Sequence, residues 1–151
     1  MKMLRKNIRE GALLRIDLAD GKDAFARVLP NSQVAFYNFF MNHEAPVSTQ
    51  TIYESSILFA TGVMKSAFQS NSWKSIDYQP LEDELLRPRE YYIKDVITGR
   101  YSKYKSSDGS RVESTPEECR GLERASVWSV EQIEDRLRDH HAGRPNRWLY
   151  D

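Results

Sequence analysis

The sequence predicts an α+β fold: a predominantly antiparallel twisted sheet or partly open barrel with a C-terminal α-helix. Three observations predict it. Alternating segments separated by turn residues crowd the first 40 positions. A second set of aromatic segments with Gly-containing turns follows Pro88. A single strongly capped amphipathic pattern comes late, near residues 130–141. At 151 residues the chain fits about one domain. We therefore expect a single domain over 1–151, with an N-terminal meander at about 11–40, a helix at about 130–141 and a tail at 144–151.

The elements follow in order. Ala12-Leu-Leu-Arg-Ile-Asp-Leu18 places Leu14, Ile16 and Leu18 on one side and Arg15 and Asp17 on the other, the period of a half-buried strand. Asp20-Gly21 is a hairpin signal, since glycine accepts positive φ. Ala24-Phe-Ala-Arg-Val-Leu29 is the second strand and Pro30-Asn-Ser32 the second turn. Gln33-Val-Ala-Phe-Tyr-Asn-Phe-Phe40, aromatic and β-branched, completes the meander. Residues 41–50 form a polar loop. The run Ile57–Met64 is a strand interrupted at Gly62, and Ser72–Tyr78 is a strand carrying Trp73. Leu81–Leu86 makes one helical turn before Pro88 stops it.

Glu90–Ile97 and Arg100–Lys105 pair through Thr98-Gly99. Ser106–Ser110 is a turn, and Arg111–Glu113 returns beside them. Thr115-Pro-Glu-Glu118 has the start signature of a helix, which Gly121 ends at once. Leu122–Trp128 is one strand. Ser129-Val-Glu-Gln132 is a capping box, and Val130, Ile133 and Leu137 form one apolar stripe that should lie on the sheet. Glu134 and Arg138 are placed to pair at i and i+4. Gly143 and Pro145 end this helix. Trp148 and Leu149 should fold back onto the body.

Composition narrows the function. The apolar fraction is 40% and the aromatic fraction 11%, too rich for a disordered chain. With 22 basic and 22 acidic residues the net charge is zero, which disfavours nucleic acid and anionic membranes as default partners. The charge is nonetheless blocked. Residues 30–86 carry two basic and six acidic side chains, and residues 87–112 seven basic and three acidic. One cysteine, Cys119, excludes an internal disulfide and a multi-cysteine zinc site. The basic N-terminus has no apolar run behind it, and the longest apolar stretches fall far short of the ~20 residues of a membrane span. We expect a cytoplasmic protein.

Nothing in the motifs recommends an enzyme. No Gly-rich phosphate loop, no P-loop and no nucleophile elbow is present. His140 and His141, adjacent on a helix, point about 100° apart and cannot chelate as a pair. They suit a helix C-terminus, where they complement the dipole. His43 in its loop is the remaining candidate for acid–base work, as in a small hydrolase. Two carboxylates beside Cys119 oppose an activated thiolate, so a buried structural thiol is expected. No metal, cofactor or small-molecule substrate is expected. The Arg100-Tyr-Ser-Lys-Tyr-Lys105 segment interleaves bases and aromatics, which offers an alternative function as a nucleic-acid-binding module. Alternation divides its side chains between two faces and dilutes any stacking platform.

The order of segments is itself informative. It runs from Gly11 through Asp20-Gly21, Ala24–Leu29 and Ala35-Phe-Tyr37 to Ile57-Leu-Phe59. Trp73 with Ile76, Pro80-Leu81 and Pro88 follow, and the order closes on Glu118-Cys-Arg-Gly-Leu-Glu123, Val127-Trp128 and the charged helix. Over roughly residues 11–142 it resembles the immunity protein 26 family of bacterial polymorphic toxin and contact-dependent inhibition systems. The resemblance implies a non-enzymatic protein that binds and neutralises the C-terminal domain of a cognate toxin. Trp73, Leu122 and Trp128 match family-like positions but suit the core first. Candidate partner-binding residues are Phe40, His43 and Glu44 in one loop, Glu82, Asp83 and Glu84 in an acidic turn, and Tyr101 and Lys103 in the basic hairpin.

Overall fold

Gly11 starts the sheet. Its φ is +89°, and a Cβ there would stand 2.5 Å from the Gln79 carbonyl oxygen, so glycine alone allows the two backbones to meet. The computed structural model describes residues 8–149. The N-terminal residues 1–7 and the last two tail residues, Tyr150 and Asp151, lie outside them. β1 (Ala12–Asp17), β2 (Lys22–Val28) and β3 (Gln33–Asn42) form the expected antiparallel meander. Positive φ at Asn31 and Ser32, 61° and 58°, makes the tight turn whose twist matches its strands. β3 runs two residues past Phe40. The supposed loop then yields α1 (Thr49–Tyr53), whose first turn is capped by Ser48. β4 (Ile57–Val63), a 3-10 turn at Lys65–Gln69 and β5 (Trp73–Tyr78) follow.

Next come α2 (Asp83–Leu86), β6 (Glu90–Lys94), β7 (Tyr101–Lys105) and β8 (Arg111–Ser114). The segment Leu122–Trp128 is not one strand. It divides into β9 (Glu123–Arg124) and β10 (Val127–Trp128), which belong to different sheets. Thr115 Oγ1 accepts from the Glu118 N–H and donates to the Glu118 carboxylate, yet only hydrogen-bonded turns follow before Gly121. Two more expectations are corrected: β6 ends at Lys94 rather than Ile97, and Leu149 stays exposed. Trp148 does pack against the core. α3 (Val130–His141) has both halves of its capping box, Ser129 Oγ accepting from the Gln132 N–H and Gln132 Oε1 from the Ser129 N–H.

The ten strands among the described residues form two sheets, neither closed into a barrel. One has the order β10-β4-β3-β2-β1-β5, the other β8-β7-β6-β9. All pairings are antiparallel except β10 with β4 and β9 with β6. Two compact units divide the chain. One contains the six-stranded sheet and α3, and the other is Glu82–Ser126.

In the first unit the sheet is buried on both faces, so β1 is not half-buried as its alternation suggests. Leu14, Ile16, Phe36, Trp73 and Trp128 pack with Ile133 and Leu137 of α3 on one side. Leu13, Phe25, Tyr37 and Ile52 of α1 pack on the other. The predicted Glu134–Arg138 pair does not form. Glu134 Oε2 instead accepts from Ser72 Oγ at 2.6 Å and from the Trp73 indole at 3.0 Å. Arg138 donates to the Leu18 carbonyl and to Asp135. A carboxylate that can satisfy a buried indole N–H gains more than from an exposed partner one turn away.

Candidate functional site

The loop after β3 is built around a buried carboxylate. Asp23, near the start of β2, is 1% exposed. Arg15 Nε donates to its Oδ2 at 2.6 Å, and the Glu44 N–H donates to the same oxygen at 3.0 Å. His43 Nδ1 lies 2.8 Å from Oδ1. Reaching this geometry puts Glu44 at a φ of 61°. A second Arg15 nitrogen donates to the Ala45 carbonyl and ties down the loop. Burial pushes the Asp23 carboxyl up, but the bonds from His43, Glu44 and Arg15 and the Arg15 charge outweigh it and hold it below the usual range. The same bond to Asp23, helped by the charges of Asp23, Asp17 and Glu44, raises the His43 imidazole against the effect of burial.

A cleft of about 300 Å³ opens here, lined by Asp17, His43, Glu44, Ser72 and Lys74 among others. Donor atoms of Asp17, Asp23 and His43 lie within 4.8 Å of one another, a spacing that could suit a metal. Asp23, however, already accepts from an arginine, an imidazole and a backbone N–H. The group is therefore an ion-pair network that fixes the loop. His43 on a buried aspartate also has half of a nucleophile-activating arrangement. The hydroxyl in this cleft, Ser72, is turned to Glu134 instead.

Phe40 is drawn elsewhere. It is half-buried, packs on the core, and faces His140 and His141 with ring centroids 6.1 and 5.2 Å away. The two histidines diverge as helix geometry requires, His140 to Asn38 and His141 to Asp20. The loop candidates thus separate. His43 and Glu44 converge on Asp23, while Phe40 belongs to the contact with α3.

In the second unit, Glu82, Asp83 and Glu84 are exposed at the start of α2, where carboxylates meet the positive end of the helix. Tyr101 and Lys103 are half-buried on one side of β7. The Tyr101 ring lies 6.1 Å from that of Tyr92, with Lys94 Nζ 5.9 Å from its centroid. Its face is therefore engaged rather than presented. Cys119 is buried, with Sγ 3.9 Å from the Ser102 carbonyl, as a structural thiol should be.

Sequence reasoning missed the most exposed apolar residues of this unit. Val96 and Ile97 are 98% and 91% exposed at the tip between β6 and β7, not inside a strand. The signal was Asp95 followed by Thr98-Gly99. The Asp95 carboxylate accepts from the Ile97 and Thr98 N–H groups at 2.8 and 2.9 Å, which bends the chain before Val96 can pair.

A family model described as Immunity protein 26 matches residues 9–103, from the Gly11 turn through β6 and into β7. No curated protein and no solved structure matches the chain.

Proposed function

Because the chain belongs to the immunity protein 26 family, we propose that it acts in the cytoplasm by binding the C-terminal domain of its cognate toxin and holding that domain inactive. Membership across 95 consecutive positions, 9–103, is the observation that carries this reading. An immunity protein of a toxin system needs no turnover. It needs a rigid surface that occupies its target, through an interface of roughly 1,200–2,000 Å² counted over both partners. A sheet packed on both faces supplies that rigidity, because close-packed interiors resist deformation.

Three surfaces compete to be the contact: the His43–Glu44 loop, the acidic start of α2, and the basic hairpin of β6 and β7. The first two would meet a target with basic groups, and the third a target with acidic ones.

The test is to take the variable C-terminal domain of any large secreted protein encoded next to this chain's gene and coexpress it with the chain. We expect the two to copurify and the chain to restore growth of cells making the toxin. Failure of both overturns the proposal. A nucleic-acid-binding module would instead retard an oligonucleotide in a gel, with affinity falling steeply as salt rises.

A further inference from the structure

We propose that the tip of the β6–β7 hairpin is the anchor of the toxin complex, with Val96 and Ile97 entering an apolar pocket rimmed by carboxylates on the toxin domain. This deepens the immunity reading and rests on it.

Three observations converge on the tip. The first is exposure. Val96 and Ile97 are the barest large apolar side chains among the described residues, and they are adjacent. Paired bare aliphatics at a tip otherwise made of Asp95, Thr98, Gly99 and Arg100 mark a contact surface more readily than scattered ones do.

The second is rigidity. The Asp95 carboxylate accepts from the Ile97 and Thr98 N–H groups. The Asp95 N–H donates to the Arg100 carbonyl at 2.9 Å, and the Gly99 N–H donates to the Asp95 carbonyl at 2.8 Å. Thr98 Oγ1 accepts from the Arg100 N–H at 3.2 Å. Gly99 takes the positive φ of 72° that the turn requires. A loop held this way loses little freedom on binding, so the contact keeps more of its gain.

The third is charge. Lys94 and Arg100, both exposed, flank the tip in sequence. The Asp95 carboxylate is committed to the turn. With Lys94 and Arg100 against the one carboxylate of Asp95, the tip presents two aliphatic side chains beside an excess of positive charge, and its complement is an apolar hollow with an acidic edge.

An anionic bilayer shares part of that chemistry. Two aliphatic side chains without an aromatic bury little in a membrane, and the chain as a whole has no net positive charge to hold it there. A protein pocket is the better complement.

The test uses the full chain and the purified toxin domain with which it copurifies in the coexpression test, with affinity read by calorimetry. V96D/I97D should bind at least tenfold more weakly than wild type, and I97L within about twofold. R100E should lose affinity chiefly through a slower association rate and a weaker dependence on salt. Thermal unfolding of V96D/I97D should match wild type. If wild type binds and both V96D/I97D and R100E bind equally well, the hairpin proposal is overturned while the immunity reading stands. If wild type does not bind the domain at all, the immunity reading falls and the anchor with it. If wild type sediments with phosphatidylserine vesicles and V96D/I97D does not, while both bind the toxin domain alike, the tip is a membrane contact and the proposal is wrong.

Discussion

Arg27 shows how much a single side chain can hold together. It is 0% exposed near the end of β2. Its Nε donates to the Gly11 carbonyl at 3.1 Å, and Nη2 donates to the Gln79 carbonyl at 3.0 Å. Nη1 reaches the Tyr37 hydroxyl, and the guanidinium lies over the Tyr53 ring at 4.8 Å. Burial and a bond to Asp77 in turn hold the Tyr53 hydroxyl well above its ordinary range. Arg27→Met keeps volume but takes the guanidinium donors from the Gly11 and Gln79 carbonyls, and should cost about 2–4 kcal/mol; a urea midpoint equal to wild type would refute this. The sequence read Ala24–Leu29 as a strand, but not that α1 would cover the face that carries Arg27. The Asp23–His43 pair makes a prediction in pH. His43 is raised above its ordinary 6.5, so its contribution is whole below that value and fades as pH climbs through the higher folded value. Asp23 is lowered from 3.8, so its contribution is whole above that value and fades as pH falls through the lower folded one. The stability gap between wild type and His43→Gln should therefore be widest between 3.8 and 6.5 and narrow on either side. Urea midpoints that stay parallel from below 3.8 to well above 6.5 would contradict it.

At the scale of elements, α3 separates what is local from what is not. Its capping box and apolar stripe depend on residues within one or two turns, so its bounds of Val130–His141 were legible from Ser129, Gln132 and the 3.6-residue period. The partner of Glu134 was not, because Ser72 and Trp73 lie some 60 positions away along the chain. The two readings differ in magnitude. An exposed i,i+4 pair is worth ~0.2–0.5 kcal/mol, whereas taking the acceptor from a buried indole and a hydroxyl costs about 1–3 kcal/mol. Glu134→Ala should thus lose well over the surface-pair value in a urea titration. An equal, small loss for Glu134→Ala and Arg138→Ala would restore the simple pair. The β6–β7 hairpin teaches the converse lesson. The apolar Val96 and Ile97 looked like strand because period-two reasoning counts side chains, while Asp95 decides the backbone by capturing two N–H groups.

For the whole molecule, stability and the proposed recognition surface fall on different residues. The packed sheet rests on Trp73, Phe36, Leu13 and their neighbours, whereas the hairpin tip gives the core nothing. V96D/I97D should accordingly unfold within about 0.5 kcal/mol of wild type, the range of a surface change, even where it abolishes protection against the toxin. A large drop in its unfolding midpoint would show the tip to be structural. By itself the sequence determined the α+β class, the three-stranded meander, the capped helix and the family, because period, turn chemistry and capping act over a few residues. Only the tertiary structure decided that the six-stranded sheet is covered on both sides, that Leu122–Trp128 serves two sheets, which partners Asp23, Arg27 and Glu134 take, and that Val96 and Ile97 stand bare. Those outcomes depend on segments distant in the chain competing for the same hydrogen bonds and the same buried area, and no local pattern records who wins.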